Sequence, residues 1–194
     1  MKAPGPLLIV SGPSGTGKTT VIKRLLALGD LPLHLSVSAT TRPPRPGEQE
    51  GVDYYFWDPG RFRREVDAGA FLEWAKVHGH CYGTLRREVD DYRNRGAGVI
   101  LDIDVQGAEQ VRRRCPDHVS VFLEAPSAAA YEERLRQRGT ESEAAIQKRL
   151  AAARGELARA GEYHYRVVND DVDAAAGRLH AILRHQFEGD EHAG

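Results

Sequence analysis

Short, fully apolar runs recur along the chain and alternate with segments of helical spacing. Such runs are typical of strands buried on both faces, as in a parallel sheet covered by helices. We predict strands at 7–10, 99–104, 119–123 and 165–169. Apolar residues at intervals of three and four predict the helices between them, with Val21, Ile22 and Leu25; Leu85, Val89 and Tyr92; Ile146, Leu150, Ala153 and Leu157; and Val172, Ala176, Leu179 and Leu183. This alternation predicts an α/β fold built from βαβ units.

Two stretches depart from the alternation. Residues 33–83 are rich in Thr, Pro, Arg, Gly and Tyr, and we interpret them as a small, mostly β insertion. Residues 127–159 carry polar helical patterns, which indicate an exposed flap. We therefore predict a single domain over residues 1–194, whose core comprises residues 6–32, 84–126 and 160–188.

Composition narrows the class of protein. The 194 residues are 41% hydrophobic and 28% charged, which is typical of a globular domain. A formal net charge of −1 gives no reason to expect a nucleic-acid or membrane-surface partner. The two cysteines, Cys81 and Cys115, form no CxxC pair, so neither a disulfide framework nor a zinc site is expected. We find no apolar run as long as a signal sequence or a membrane span requires, and we predict a cytoplasmic protein.

The first predicted strand leads into a phosphate-binding motif. Residues 12–19, GPSGTGKT, fit the pattern G-x-x-x-x-G-K-S/T at every position. Glycines let successive backbone N–H groups curl around a phosphate, and the helix N-terminus adds its positive end. Lys18 would reach the β- and γ-phosphates, and the Thr19 hydroxyl would contact Mg²⁺. The predicted triphosphate-binding residues are Gly12, Ser14, Gly15, Thr16, Gly17, Lys18, Thr19 and Thr20. The alternative is a glycine-rich turn that only begins a helix.

Two acidic residues lie at the carboxyl end of the second predicted strand. Asp102 and Asp104 are two positions apart, which predicts that both point to one face at the carboxyl end of the strand. An acid there can hold a magnesium-bound water, so Asp102 is predicted to share the metal site with Thr19. The alternative is a solvated strand end.

An arginine- and proline-rich run lies in the predicted insertion. Arg42 and Arg45 are three positions apart and are flanked by prolines, which restrict the backbone. A guanidinium group can bind phosphate oxygens with two hydrogen bonds, and the Tyr54 phenol could donate to the same phosphate. This pattern predicts a second phosphate site for an acceptor molecule, and the alternative is a solvated basic loop.

In combination these segments resemble the guanylate kinase family. The resemblance extends from about residue 6 to residue 187. It is carried by SVSATTRPPRPGE at 36–48, GVDY at 51–54, FLEWA at 71–75, YGT at 82–84, LDIDVQG at 101–107, Arg134, RGTE at 138–141, KRL at 148–150 and VNDD at 168–171. It implies a three-layer P-loop fold with a parallel central sheet, a β-rich GMP-binding insertion and a helical lid. The implied reaction is transfer of the γ-phosphoryl group of ATP to GMP, and also to dGMP, with Mg²⁺.

The resemblance also implies the acceptor residues. Arg42, Arg45, Tyr54 and Tyr82 would hold the GMP phosphate. Glu73 would accept hydrogen bonds from guanine N1–H and the exocyclic amine, because that edge of guanine presents two donors. The remaining implied contacts to the guanine side are Ser38 and Thr84, which address O6, together with Gly83 and Asp104.

The lid residues implied by the resemblance are arginines. Arg134, Arg138 and Arg149 would close over the ATP phosphates, and Asn169 would contact adenine. Lys18, Arg42, Arg138 and Arg149 form the implied catalytic set. For the arginines, the alternative is a helix surface with i, i+4 ion pairs.

Three other functions fit the sequence less well. A protein-interaction scaffold that has lost catalysis should show a damaged phosphate cradle, whereas Lys18 and Thr19 are intact. A P-loop kinase for another acceptor gives no reason for Ser38, Glu73 and Thr84. A nucleic-acid-binding ATPase would need a basic balance and stacking aromatic residues. The predicted partners are ATP and GMP, with no nucleic acid and no membrane, in a monomer or homodimer.

Overall fold

The structure of the protein is a computed structural model, which describes residues 3–77, 79–137 and 143–191. Its strands are β1 (Leu7–Ser11), β2 (Leu33–Leu35), β3 (Ala39–Thr40), β4 (Tyr55–Phe56), β5 (Phe71–Val77), β6 (His80–Leu85), β7 (Gly98–Asp102), β8 (His118–Glu124) and β9 (Tyr165–Val168). Its helices are α1 (Lys18–Leu26), α2 (Pro59–Asp67), α3 (Arg86–Arg93), α4 (Val105–Arg114), α5 (Ala128–Gln137), α6 (Glu143–Leu157) and α7 (Val172–Glu191).

The central sheet is parallel and has the strand order β2-β7-β1-β8-β9. Every residue of β1 is buried, because helices cover both faces of the sheet. Leu8 and Val10 pack in the cluster that includes residues of α1 and α7. Leu7 and Ile9 point the other way, into the cluster that includes residues of α3 and α4. The predicted three-layer α/β fold with a parallel central sheet is confirmed.

A second sheet, with the order β4-β3-β6-β5, forms the β-rich insertion. Trp57, Phe62, Phe71 and Leu85 are buried together beneath it. Strand β2 does not belong to this sheet; it pairs with β7 in the central one, so the core continues past residue 32.

Helix α2 is an element that the sequence analysis did not predict. It begins after Asp58, whose carboxylate accepts a hydrogen bond from the Arg61 N–H at 2.9 Å, and Pro59 occupies its first turn. An Asp-Pro pair of this kind is a helix start signal that the sequence offered.

Helices α5 and α6 lie in the exposed flap predicted over residues 127–159, which we call the lid. Tyr131 and Leu135 of α5 pack against Ala153 of α6, so the two helices share a small apolar cluster of their own. Arg138 lies outside the described residues. No helix of the described chain is long and apolar enough to cross a membrane. The cytoplasmic location and the oligomeric state stay predictions of the sequence.

Candidate active site

The phosphate cradle lies where β1 ends and α1 begins. Gly17 immediately precedes α1 with a φ of 89°, a left-handed conformation that favours glycine. A Cβ on Gly17 would lie 2.5 Å from Asn169 Nδ2, so glycine is also required by the close approach of that side chain. No side chain of the described residues caps the helix, which leaves its first N–H groups available to an anion.

The loop before α1 is held by hydrogen bonds from side chains to its own backbone carbonyls. Thr16 is buried, and its hydroxyl donates to the Pro13 carbonyl at 2.9 Å. Lys18 Nζ donates to the Gly12 carbonyl at 2.7 Å, so the ammonium group stays above the loop. Ser14, Thr19 and Thr20 are exposed, whereas the loop glycines are buried or half-buried. The arrangement presents backbone N–H groups and one cation to a bound phosphate.

Thr19 and Asp102, the residues predicted to hold the metal ion, lie next to each other at the carboxyl end of the central sheet. Asp102 ends β7, which pairs with β1 in the register Val10 to Asp102. The Thr19 hydroxyl donates to Asp102 Oδ2 at 3.2 Å. A hydroxyl beside a carboxylate suits Mg²⁺, which commonly takes its remaining ligands from phosphate and water. The described residues contain no cluster of three or more His, Cys, Asp or Glu side chains able to hold a metal ion.

Asp104 is not placed as the sequence predicted. The chain leaves the sheet after Asp102, and Asp104 is the N-cap of α4. Its Oδ1 accepts from the Gly107 N–H at 2.9 Å, and its Oδ2 accepts from Gln106 Nε2 at 3.0 Å. The expectation that Asp102 and Asp104 share one strand face is therefore wrong, because helix capping requires the second carboxylate at the start of α4.

One cavity of about 250 Å³ joins the cradle to the insertion and the lid. The loop and α1 contribute Lys18, the insertion contributes Glu73, and α6 contributes Arg149. The other predicted residues that line it are Gly12, Ser14, Ser38, Arg45, Tyr54, Tyr82, Asp102 and Asp104. Residues up to 144 positions apart in sequence thus share one space.

Glu73 is the most deeply buried carboxylate of this cavity. It is 3% exposed, and its Oε1 accepts a hydrogen bond from Thr84 Oγ1 at 2.6 Å. The pairing of β5 with β6 sets this contact, since Glu73 lies opposite Thr84. Burial raises the pKa of Glu73 to about 7; the Thr84 hydrogen bond and Arg114 lower it, and Asp104 raises it.

Gly83 occupies a different place from the other acceptor residues. It lies in β6 opposite Ala39 and Trp74, and a Cβ there would meet the Phe71 ring at 2.7 Å. Among the described contacts its role is packing, and it does not line the cavity.

Glu48 holds both arginines of the predicted acceptor-phosphate site. Arg42 Nη2 donates to Glu48 Oε1 at 2.8 Å, and the Arg45 N–H donates to Glu48 Oε2 at 2.7 Å. The hydrogen bond to Glu48 raises the pKa of Arg42. The Arg42 guanidinium lies 5.4 Å from the Tyr54 ring centroid, and Tyr54 stands edge-on to Tyr82 at 6.0 Å. Burial raises the pKa of Tyr54 to about 12, so this phenol keeps its proton and can donate a hydrogen bond to a phosphate oxygen.

Asn169 and Arg134 meet behind the cradle. Asn169 is 2% exposed, and its Nδ2 donates to the Thr16 carbonyl at 2.7 Å. Its Oδ1 is buried and has no hydrogen-bond partner among the described residues. Arg134 Nη2 donates to the Asn169 carbonyl at 2.9 Å, and its Nη1 donates to the Thr16 carbonyl at 3.4 Å. The amide therefore keeps an unused acceptor beside the cradle.

Glu156 is a residue of the cavity that the sequence analysis missed. It lines the same space as Arg149, and the two are seven positions apart on α6, which puts them on one face of the helix. Burial raises the pKa of Glu156, and Lys18 lowers it. The spacing from Arg149 is the signal that could have identified it.

A glycine-rich cradle between a buried parallel strand and a helix, opening onto a second polar pocket, defines a P-loop nucleotide-binding protein. A family model described as guanylate kinase matches residues 5–186. The chain belongs to the guanylate kinase family, as the resemblance implied, and its classification as a kinase is confirmed.

Individual relatives agree with the family match. Over 181 residues the chain is 47% identical to the guanylate kinase of Aromatoleum aromaticum, covering 93% of this chain and 88% of that protein. Over 186 residues it is 48% identical to the guanylate kinase of Rubrobacter xylanophilus, covering 95% and 96%. The crystal structure of guanylate kinase from Anaplasma phagocytophilum is 34% identical and matches with a TM-score of 0.80, covering 95% of this chain and 87% of that one.

Proposed function

We propose that this protein transfers the γ-phosphoryl group of ATP to GMP, giving ADP and GDP. The observation that carries the proposal is the single cavity that Lys18 of the cradle and Glu73 of the insertion both line. A triphosphate-binding loop by itself is compatible with many reactions. A buried carboxylate in the same cavity adds a base-recognition group at the place where an acceptor nucleotide would lie.

The acceptor base is recognised through hydrogen-bond direction. The Glu73 carboxylate accepts from guanine N1–H and from the exocyclic amine, and the Ser38 hydroxyl donates to O6. The Thr84 hydroxyl has one proton, which it donates to Glu73 Oε1, so it orients the carboxylate and would address O6 only by leaving that bond. Asp104 lines the same cavity and would face the base. Gly83 packs against Phe71 and Trp74 of β5, the strand that carries Glu73. Adenine has no N1 donor, so it would leave a buried carboxylate without its partner. Sites of this type can reject the wrong analogue by about 10⁴–10⁵-fold.

The acceptor phosphate is held by Arg42, Arg45, Tyr54 and Tyr82. Glu48 fixes two of these, because it binds the Arg42 side chain and the Arg45 backbone at the same time. The proposed contacts reach the base and the phosphate rather than the sugar. We therefore propose that dGMP is an acceptor as well.

The donor is held by the cradle and by Asn169. The residues around the triphosphate are Gly12, Ser14, Gly15, Thr16, Gly17, Lys18, Thr19 and Thr20. The unused Oδ1 of Asn169 can accept from the exocyclic amine of adenine, which favours ATP over GTP as donor. Arg134 lies against Asn169 and supports this contact.

Transfer requires positioning and positive charge more than proton chemistry. An ionised oxygen of the GMP phosphate attacks the γ-phosphorus, and the bond to the ADP oxygen breaks in line. The nucleophile carries no proton, so no general base is needed. Lys18, Arg42 and Arg149, with Arg138, stabilise the charge on the transferred group. Thr19 and Asp102 would hold Mg²⁺, which when bound neutralises charge on the β- and γ-phosphates.

Lid closure excludes water, which would otherwise accept the phosphoryl group. Arg149 lies on α6 and lines the cavity, so movement of the lid would carry this cation toward or away from the phosphates.

The test is a coupled ADP-release assay with ATP–Mg²⁺ and one acceptor at a time: GMP, dGMP, AMP, CMP, UMP or dTMP. Turnover is expected with GMP and dGMP alone, and it should collapse in Glu73→Ala. A folded protein that binds ATP but turns over none of these acceptors would overturn the proposal and favour a scaffold or another acceptor.

A further inference from the structure

Gly107 lies where α4 passes the buried carboxylate of Glu73. A Cβ on Gly107 would stand 2.3 Å from Glu73 Oε2 and 2.9 Å from its Cδ. Real Cβ atoms essentially never come within 3.0 Å of another heavy atom in this way. Gly107 is not among the glycines with positive φ, so its backbone conformation does not require glycine. What requires it is the space that the carboxylate occupies.

The opposite side of the carboxylate is held by β6. Glu73 Oε1 accepts from Thr84 Oγ1 at 2.6 Å, while Oε2 faces the Gly107 backbone. The carboxylate is thus clamped between a strand and a helix, and its two oxygens have different neighbours. A side chain at position 107 would push the carboxylate off the helix side of this clamp.

Helix α4 cannot easily withdraw to make room. Gln110 Nε2 donates to the Trp74 carbonyl at 2.7 Å, and Gln110 Oε1 accepts from the Trp74 N–H at 3.4 Å. Asp104 fixes the first turn by accepting from the Gly107 N–H at 2.9 Å. Because the helix is tied to the strand that carries Glu73, the conflict would be relieved by displacement of the Glu73 side chain.

We propose that Gly107 is a positioning residue for guanine selectivity, because it lets α4 approach the Glu73 carboxylate and hold it toward the acceptor base. The inference rests on the proposed function, since it assumes that Glu73 recognises guanine. Gly107 itself acts through Glu73 and is not a catalytic residue.

The test compares Gly107→Ala with the native protein in steady-state kinetics with GMP and with IMP. IMP keeps the N1–H donor and lacks the exocyclic amine, so it reports whether both donors are engaged. For GMP we expect KM to rise about 10- to 100-fold, as for loss of one hydrogen bond to a charged group. We expect kcat and the KM for ATP to change less than about twofold, since lost binding of a substrate raises KM. The preference for GMP over IMP should narrow.

Gly177→Ala is the matched control. Gly177 is an exposed residue of α7, and a Cβ there would meet nothing within 4 Å. It shares the gain in helix propensity on replacing glycine by alanine, but it does not approach the cavity. Its kinetics with GMP and IMP should equal those of the native protein.

The outcomes separate the two hypotheses. A native protein without GMP kinase activity contradicts the proposed function. A native protein that phosphorylates GMP, together with a Gly107→Ala variant whose KM and selectivity match Gly177→Ala, overturns the positioning role alone.

If Gly107→Ala does not fold, the comparison is made in a Glu73→Asp background, where the carboxylate is one methylene shorter and the conflict should be relieved. Folding is expected there, with GMP kinetics within about threefold of Glu73→Asp alone, as expected when two coupled sites are changed together. Failure to fold in that background, or a larger loss, overturns the inference.

Discussion

The phosphate cradle and the acceptor pocket lie in one cavity but are built in different ways. The cradle is a continuous run, residues 12–19, that binds mainly through backbone N–H groups and one lysine. The acceptor pocket draws its side chains from the segment around β3, from β4 to β6 and from the start of α4. Recognition of phosphate by backbone needs little from outside its own run. Recognition of a base depends on a few side chains that other elements must hold in place.

The side chains of the cradle are more exposed to solvent than those of the acceptor pocket. Ser14, Thr19 and Thr20 of the cradle are exposed, whereas Glu73 is 3% exposed and Thr84 is fully buried. A buried carboxylate depends strongly on its neighbours, because an unsatisfied charge is costly away from water. We therefore expect donor and acceptor binding to be separable by mutation.

The largest effect is expected from Lys18→Met. Loss of the cation above the cradle should lower kcat about 10²–10³-fold, since one preorganised charge at a transition state contributes that much. Binding of GMP to the apo protein, measured by calorimetry, should stay within about twofold of the native value. Lys23→Met on the exposed face of the same helix is the control. A large loss of GMP affinity in Lys18→Met would show that the two regions are not separable.

Glu73→Gln should impair use of the acceptor GMP and leave binding of the donor ATP unchanged. The amide replaces an acceptor by a donor, so kcat/KM for GMP should fall about 10²-fold or more, as for loss of hydrogen bonds to a charged group. The dissociation constant for ATP, measured with a fluorescent analogue, should not change. Equal losses for both nucleotides would contradict the separation, and a circular-dichroism melt checks that the variant folds.

A smaller effect is expected from Asn169→Ala. This change removes the hydrogen bond to the Thr16 carbonyl and the acceptor proposed for adenine. The KM for ATP should rise about tenfold, and the advantage of ATP over GTP should shrink. The KM for GMP should stay unchanged, and Asp170→Ala, one position further on, serves as control. Unchanged use of ATP would show that Asn169 does not contact adenine.

The smallest effect concerns pH. Burial raises the pKa of Glu73 in the empty pocket to about 7, well above the usual range of a glutamate carboxyl. GMP binding favours the charged form, so affinity should rise about threefold between about pH 6.5 and 7.5 with release of protons. By the same sign, the unfolding free energy of the empty protein should fall as pH rises from about 4.5 to about 7, because the folded state holds the proton more tightly.

Calorimetry in buffers of different ionisation enthalpy measures the proton release on GMP binding. Glu73→Gln is the control, because it retains the titration of the GMP phosphate and lacks that of Glu73. A native protein whose pH profile matches that of Glu73→Gln would show that this carboxylate does not titrate in the pocket.

The sequence alone predicted the elements whose causes are local. The strand at 7–10 was identified because a parallel sheet buries both faces of such a run, and the structure confirms it as β1. The cradle was identified because its glycines and its lysine are adjacent in sequence. The side chains predicted for guanine came from the resemblance to the guanylate kinase family, as did Tyr82 at the phosphate, and most of the residues predicted for guanine and phosphate line one cavity. Their roles there stay predictions.

Other features depended on contacts between distant segments. The predicted orientation of Asp104 was wrong because side chains alternate between faces only while the chain stays in the sheet. The chain leaves the sheet before Asp104, which caps α4. The predicted insertion, residues 33–83, included β2, which pairs with β7 of the central sheet. A strand of three residues is too short for its sequence to indicate that pairing. The space around Glu73 is set by Thr84 on one side and Gly107 on the other. Sequence determines which groups exist and their local geometry, whereas only tertiary packing decides which groups lose their water and meet, and hence their pKa and selectivity.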